Sequence, residues 1–206
     1  MRSRLLLATR SAGKLRELAP LFADAGIHVL TLNDLGLAPT PEENALEEFE
    51  TFEENALAKV RYFAENKRAG ELTVVADDSG LEVAALGGAP GVRTKRFSGR
   101  DDLEGQALDD ANNAALVRAL TGHTDRRARY VCVAALIDAR GERTFRGETR
   151  GQILDAPRGR GGFGYDPYFL SDDAGVTFAE IDRSAKERVS HRGRAFAQLV
   201  AAMREG

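Results

Sequence analysis

Leu5-Leu6-Leu7-Ala8 is the first of several short apolar runs, and between them apolar residues recur at helical spacing. Short apolar runs bounded by turn residues read as buried strands, and a period near 3.6 reads as an amphipathic helix. On that basis Leu5 to Thr9 predicts a strand, Leu15 to Ala25 a helix and Ile27 to Thr31 a second strand. Pro39 to Glu50 is acidic and irregular. From Thr51 onward, Phe52, Ala56, Val60 and Phe63 share one face of a helix that Gly70 closes. Leu72 to Ala76 predicts a strand that runs out at Asp77-Asp78-Ser79-Gly80, with Leu81 to Leu86 returning as another and Gly87 to Gly91 as a loop. Leu103 to Leu120 reads as a helix. Ala128 to Ile137 and Arg143 to Leu154 read as long strands joined near Ala139-Arg140-Gly141, followed by a strand at Tyr168-Phe169-Leu170. Ser184 opens a last helix reaching about Arg204. Strands alternating with helices place the chain in the α/β class. No repeat or linker interrupts it, so residues 1–206 read as one domain with a cleft.

Composition adds mainly exclusions. With 43% hydrophobic and 30% charged residues the chain is ordinary for a globular protein, and a net charge of -3 argues against nucleic acid as the main partner. No apolar run approaches membrane-spanning length, and Met1 to Thr9 has too short an apolar core for a signal peptide, so no membrane partner and a cytoplasmic location are expected. The single cysteine, Cys132, lies inside an apolar run and reads as a small buried hydrophobe.

Candidate chemistry concentrates in four places. Asp77 and Asp78 stand at the end of an apolar strand, where ligands of α/β proteins bind, and paired carboxylates suit a divalent metal or the deprotonation of water. Alternation along a strand turns one of them to each face; Asp78, beside Ser79-Gly80, is the expected functional one, and an Asx-type turn is the structural alternative. The first strand feeds a helix through Thr9-Arg10-Ser11-Ala12-Gly13-Lys14. Free N–H groups at a helix start, finished by a lysine, suit a polyphosphate, although the segment is not a true P-loop and also reads as a capped helix with a solvated lysine. Glu54 fits a capping box with Thr51, yet lies off the apolar face and is free to point into a cleft.

Gly159 to Gly164 contains a literal G-x-G-x-x-G, but Pro167 and the strand after it do not open a helix as a dinucleotide site requires. The glycines beside Phe163 and Tyr165 fit a tight loop that presents a ring for a base to stack on, with Asp166 accepting from the base or orienting a neighbour. A structural turn with core aromatics reads equally well. Ser184 and Glu187 suggest a second capping box, and Lys186, His191 and Arg192 offer donors for a phosphate or a carbonyl oxygen, unless that helix end is simply solvated.

Six segments in order then stand out: Ala8 to Lys14, Thr51 to Ala56, Ala76 to Leu81, Gly87 to Gly91, Gly161 to Pro167 and Ser190 to Gly193. Together they resemble the Ham1-type inosine triphosphate pyrophosphatase family, which removes deaminated purine triphosphates such as ITP, dITP and XTP. The resemblance implies an elongated mixed sheet flanked by helices, two lobes with the site in a cleft between them, and a homodimer. It implies that Thr9, Arg10, Ser11, Ala12, Gly13 and Lys14 bind triphosphate, that Glu54 and Asp78 hold Mg²⁺ with Asp78 as general base, and that Ser79 touches substrate. Phe163, Gly164, Tyr165, Asp166, Lys186, His191 and Arg192 would contain the nucleotide. The family commonly has Thr-Gly-Asn where this chain has Thr9-Arg10-Ser11, so the role of position 11 is open. The alternatives are a Maf-type pyrophosphatase of other base preference and a nucleotide-binding module without turnover.

Overall fold

The computed structural model describes residues 4–66 and 69–205; Met1 to Ser3, part of the segment weighed as a leader, lie outside it. Six strands, β1 (Arg4–Leu7), β2 (His28–Thr31), β3 (Thr73–Val83), β4 (Arg127–Asp138), β5 (Gly141–Ile153) and β6 (Phe169–Ser171), form one sheet in the order β2-β1-β3-β4-β5-β6. β1 runs parallel to β2 and β3, while β5 and β6 are antiparallel, so the sheet is mixed. The helices are α1 (Ala12–Asp24), α2 (Phe52–Ala64), α3 (Gly105–Ala119), α4 (Arg183–Val189) and α5 (His191–Arg204). Among the described residues no helix is long and apolar enough to cross a membrane.

The chain divides into two compact units, passing from one to the other within β3 and β4, after Arg146 in β5 and again after Gly193 in α5. The first unit comprises residues 1–78, 132–146 and 194–206. Its core joins Leu5 and Leu7 of β1 and Leu18 and Phe22 of α1 to Val75, Cys132 and Phe196, with Phe22 and Phe196 edge to face at 5.7 Å. Cys132 is fully buried as expected, and its thiol also lies 3.7 Å from Asp77 Oδ2. The second unit comprises residues 79–131 and 147–193. It packs around Leu81, Leu116, Tyr130, Phe169 and Phe178, in which the Tyr130 ring meets Phe169 at 4.7 Å.

Several boundaries differ from the sequence reading. β3 does not run out at Asp77: it continues through Asp77, Asp78 and Ser79 to Val83, so no Asx turn closes it, and residues 84–86 form a 3-10 turn rather than a returning strand. The side chains of Asp77 and Asp78 find partners in Lys14 and Asn55, which lets a strand carry two acids through its middle. Part of the acidic stretch is ordered, as a 3-10 helix over Pro41–Glu47. The single last helix is two. α4 is capped by the Asp182 carboxylate accepting from Ala185 N–H, which displaces the expected Ser184 box, and α5 starts at His191 after an extended Ser190. Gly193 permits that junction, since a Cβ there would stand 1.7 Å from the Glu187 carbonyl oxygen.

Candidate active site

In the first unit β1 ends opposite Val75 of β3, and Ala8 N–H still donates to the Val75 carbonyl at 2.7 Å. Asp77 and Asp78 therefore sit just beyond the carboxyl end of β1, although they are in mid-strand of β3. The chain leaving β1 turns through Thr9, whose hydroxyl accepts from Ser11 N–H, and Ser11 caps α1 by accepting from Lys14 N–H at 3.3 Å. Ser11 thus performs the N-cap function that its residue type predicts. Ala12, Gly13 and Lys14 form the first turn of α1. Arg10 is turned to the 3-10 segment: its guanidinium grips both carboxylate oxygens of Glu43, at 3.0 and 2.7 Å, and donates to the Leu37 carbonyl.

Lys14 is not a solvated lysine. Its ammonium lies 2.9 Å from Asp77 Oδ2 and 3.2 Å from the Asp77 carbonyl, and the Asp77 side chain has 0% exposure. Alternation along β3 turns Asp78 the other way, where α2 meets it. Asn55 Nδ2 donates to Oδ2 at 2.9 Å and Lys59 Nζ to Oδ1 at 2.9 Å, and Lys59 also reaches Glu47 Oε1 at 2.9 Å. Burial works against the charge on Lys59, but the carboxylates of Asp78, Glu47 and Asp77 outweigh it and hold the ammonium above its ordinary pKa. Each of the adjacent acids is thus matched to one lysine.

Glu54, expected to share a metal with Asp78, directly precedes Asn55, which contacts Asp78. It is exposed in the first turn of α2, where its carboxylate accepts from the Thr51 hydroxyl at 2.7 Å and its N–H donates back to Thr51, completing the cap. Glu47 also approaches Asp78, through the shared Lys59 ammonium. Asn55, Lys59 and Glu47 were missed because residue type alone does not say which charges are buried. A signal existed: Asn55 and Lys59 lie one turn apart, beside Ala56 and Val60 on the apolar stripe of α2.

The second unit assembles the aromatic loop. Asp166 is 2% exposed, accepts from Phe163 N–H at 2.9 Å and pairs with Lys186, itself 6% exposed, at 2.5 Å. Gly162 leaves room for that carboxylate: a Cβ there would stand 2.1 Å from Asp166 Oδ2, at a φ of +74°. The Lys186 ammonium lies 5.1 Å from the centre of the Phe163 ring and the Arg192 guanidinium 5.7 Å. Arg192 also donates to the Ser79 hydroxyl at 2.8 Å. His191 stacks on Tyr130 at 4.5 Å, with the planes 7° apart. These three basic side chains are buried, so the solvated-end alternative fails. Tyr165 is a core aromatic whose hydroxyl donates to the Thr94 carbonyl, and burial pushes its phenol pKa up. Phe163 is the ring that remains partly open.

Fold and site together define a mixed-sheet α/β protein with lysine-paired carboxylates beyond a strand-loop-helix start and a cation-flanked aromatic loop. The Ham1 family profile matches residues 5–202. The dITP/XTP pyrophosphatase of Burkholderia pseudomallei is 47% identical over 99% of this chain and 95% of its own length, and that of Geobacter sulfurreducens 46% over 96% and 94%. Among solved structures, the Staphylococcus aureus Ham1 protein superposes with a TM-score of 0.80 at 35% identity, covering 98% of this chain and 99% of its own. A Coxiella burnetii HAM1 protein gives 0.83 at 33%, covering 99% and 100%. The chain belongs to the Ham1 family.

Proposed function

We propose that this chain hydrolyses deaminated purine nucleoside triphosphates, ITP, dITP and XTP, to the monophosphate and pyrophosphate. The observation that carries the reading is Asp78. It is 6% exposed, fixed by Asn55 and Lys59, and adjacent to the acid that holds Lys14, in a chain nearly half identical to relatives named dITP/XTP pyrophosphatase.

Asp78 accepts the proton of the attacking water, its carboxylate aimed by two donors on one face of α2. Lys14 and the first-turn N–H groups of α1 steady the departing pyrophosphate, with Thr9 and Ser11 shaping the loop and Asp77 holding the lysine in place. A hard divalent cation fits the residues present. Asp78 in β3 and Glu54 in the first turn of α2 are carboxylate oxygen donors, and Mg²⁺ ordinarily takes one or two carboxylates together with substrate phosphates rather than a complete protein cage. Among the described residues no three acidic, histidine or cysteine side chains form such a cage. Asp78 with Glu54 would hold the ion, which neutralises phosphate charge and lowers the pKa of bound water.

Base selection falls to the aromatic loop. Hypoxanthine and xanthine carry an oxygen at C6 where adenine carries an amino group, and Arg192 and Lys186 are donors beside the Phe163 ring. Adenine would set donor against donor, which excludes it by roughly a hundredfold. The cytoplasm and a homodimer are proposed on the family resemblance. The test is pyrophosphate release from ITP, XTP, dITP, GTP, ATP and dTTP, with Asp78→Asn as control. Turnover of ITP and XTP should exceed that of ATP by about a hundredfold and fall by about 10² to 10⁴ in the variant. Equal rates with ATP would sink the base assignment, and an active Asp78→Asn would sink the mechanism.

A further inference from the structure

The buried face of α3 is unusual: it consists of Asn112, Asn113 and Leu116. Burying two adjacent amides is unfavourable unless hydrogen bonds compensate, and here both NH₂ groups and the Asn112 oxygen bond to neighbouring backbone. Asn113 Nδ2 donates to the Gly164 carbonyl at 2.9 Å, and one turn earlier Asp109 Oδ2 accepts the Gly164 N–H at 2.8 Å. Both peptide groups of Gly164, which sits at a φ of +62°, are thus held by a single helix face. Asn112 holds the other side of the loop's support, accepting from Ser98 N–H at 2.8 Å and donating to the Lys95 carbonyl at 3.0 Å. The Tyr165 hydroxyl closes the circuit on the Thr94 carbonyl at 2.7 Å.

We infer that Asp109 and Asn113, supported by Asn112, are positioning residues that lock the Phe163–Asp166 loop in its base-accepting form and so set how strictly the base is selected. The inference rests on the proposed function and extends it. With its amide and carbonyl both engaged by α3, Gly164 is not itself a base contact, and reading the base is left to the Phe163 ring and the cations beside it. A hydrogen bond to a charged group ties the loop more firmly than a neutral one, so Asp109 is the dominant half of the clamp.

The test compares Asp109→Ala, Asn113→Ala and Asp109→Asn with the unaltered chain by hydrogen exchange at the Gly164 amide and by steady-state kinetics. Loss of a charge-assisted bond predicts about tenfold faster exchange at Gly164 in Asp109→Ala. It also predicts an ITP KM raised about tenfold, with kcat nearly unchanged and inhibition by pyrophosphate unaltered, because the phosphate groups are held elsewhere. Asp109→Asn keeps an oxygen that accepts the same N–H without the charge, so it should be clearly less impaired than Asp109→Ala in both readouts. Unchanged exchange at Gly164, a fall in kcat shared equally by ITP and ATP, or an Asn variant as impaired as the Ala variant each overturns the inference. If Asp109→Ala does not fold, Asn113→Ala decides by the same two readouts. Should the unaltered chain show no preference for ITP over ATP, the functional reading fails, while the exchange measurement still judges the clamp.

Discussion

Replacing Lys59 by methionine removes the ammonium between Asp78 and Glu47 while keeping much of the side chain's bulk. The two carboxylates feel this unequally. Glu47 is 42% exposed at its side chain and is rehydrated, whereas the Asp78 side chain is 9% exposed and keeps only the Asn55 amide among the partners described for it. Removing one member of a buried pair costs about 3–5 kcal/mol, and the surviving Asn55 bond places the loss near the lower end, about 3 kcal/mol. For a chain of this size that is roughly a 6–12 °C fall in melting temperature. Replacing the partner as well, in Lys59→Met with Asp78→Asn, leaves no stranded charge, so the double variant should be more stable than Lys59→Met alone. The coupling energy from the cycle should be about 1.5–3 kcal/mol. Denaturant unfolding of the four proteins at pH 7 measures it. A coupling energy near zero, or a Lys59→Met variant as stable as the parent, would refute the claim that Asp78 depends on this lysine.

Lys14→Ala should weaken binding of pyrophosphate and ITP by at least about tenfold and also lower the melting temperature, because the buried Asp77 loses its ammonium; calorimetry showing weaker binding with no loss of stability would return Lys14 to the role of a solvated lysine. The raised pKa values of Lys59 and Tyr165 imply alkaline destabilisation: their stabilising contribution is complete below the unfolded values of about 10 and disappears as pH rises through the higher folded ones. Melting temperatures from pH 8 upward should fall above about pH 10, less steeply in the Lys59→Met, Asp78→Asn double variant, and equal slopes would count against Lys59. Gly162→Ala should lose about 1–3 kcal/mol and raise the KM for ITP, since the new methyl collides with Asp166 Oδ2 at a positive φ; a variant with unchanged stability would show that the loop moves freely.

Periodicity was enough to locate most of the strands and helices, because one buried face per element leaves its repeat in the order of residues, though not the break between α4 and α5. It placed Thr51 as a helix cap and Cys132 in the core. Linear order also preserved the six segments that mark the family, since chemistry at a site demands particular residue types at particular spacings. What the order of residues does not contain is which charge meets which. Asp77 and Asp78 looked like a strand end because two acids in mid-strand are unfavourable in isolation; they are tolerated here because Lys14 of α1 and Lys59 of α2 neutralise them from opposite faces of β3. Glu54 and Glu47 show the same contrast: a glutamate at a helix start satisfies its cap locally, whereas Glu47, twelve residues before Lys59, finds its partner only through folding. Local hydrogen bonds are legible in sequence because their partners lie within a turn. Desolvated ion pairs and buried amides such as Asn55 and Asn113 are not, because their stability depends on water being excluded by segments far away along the chain.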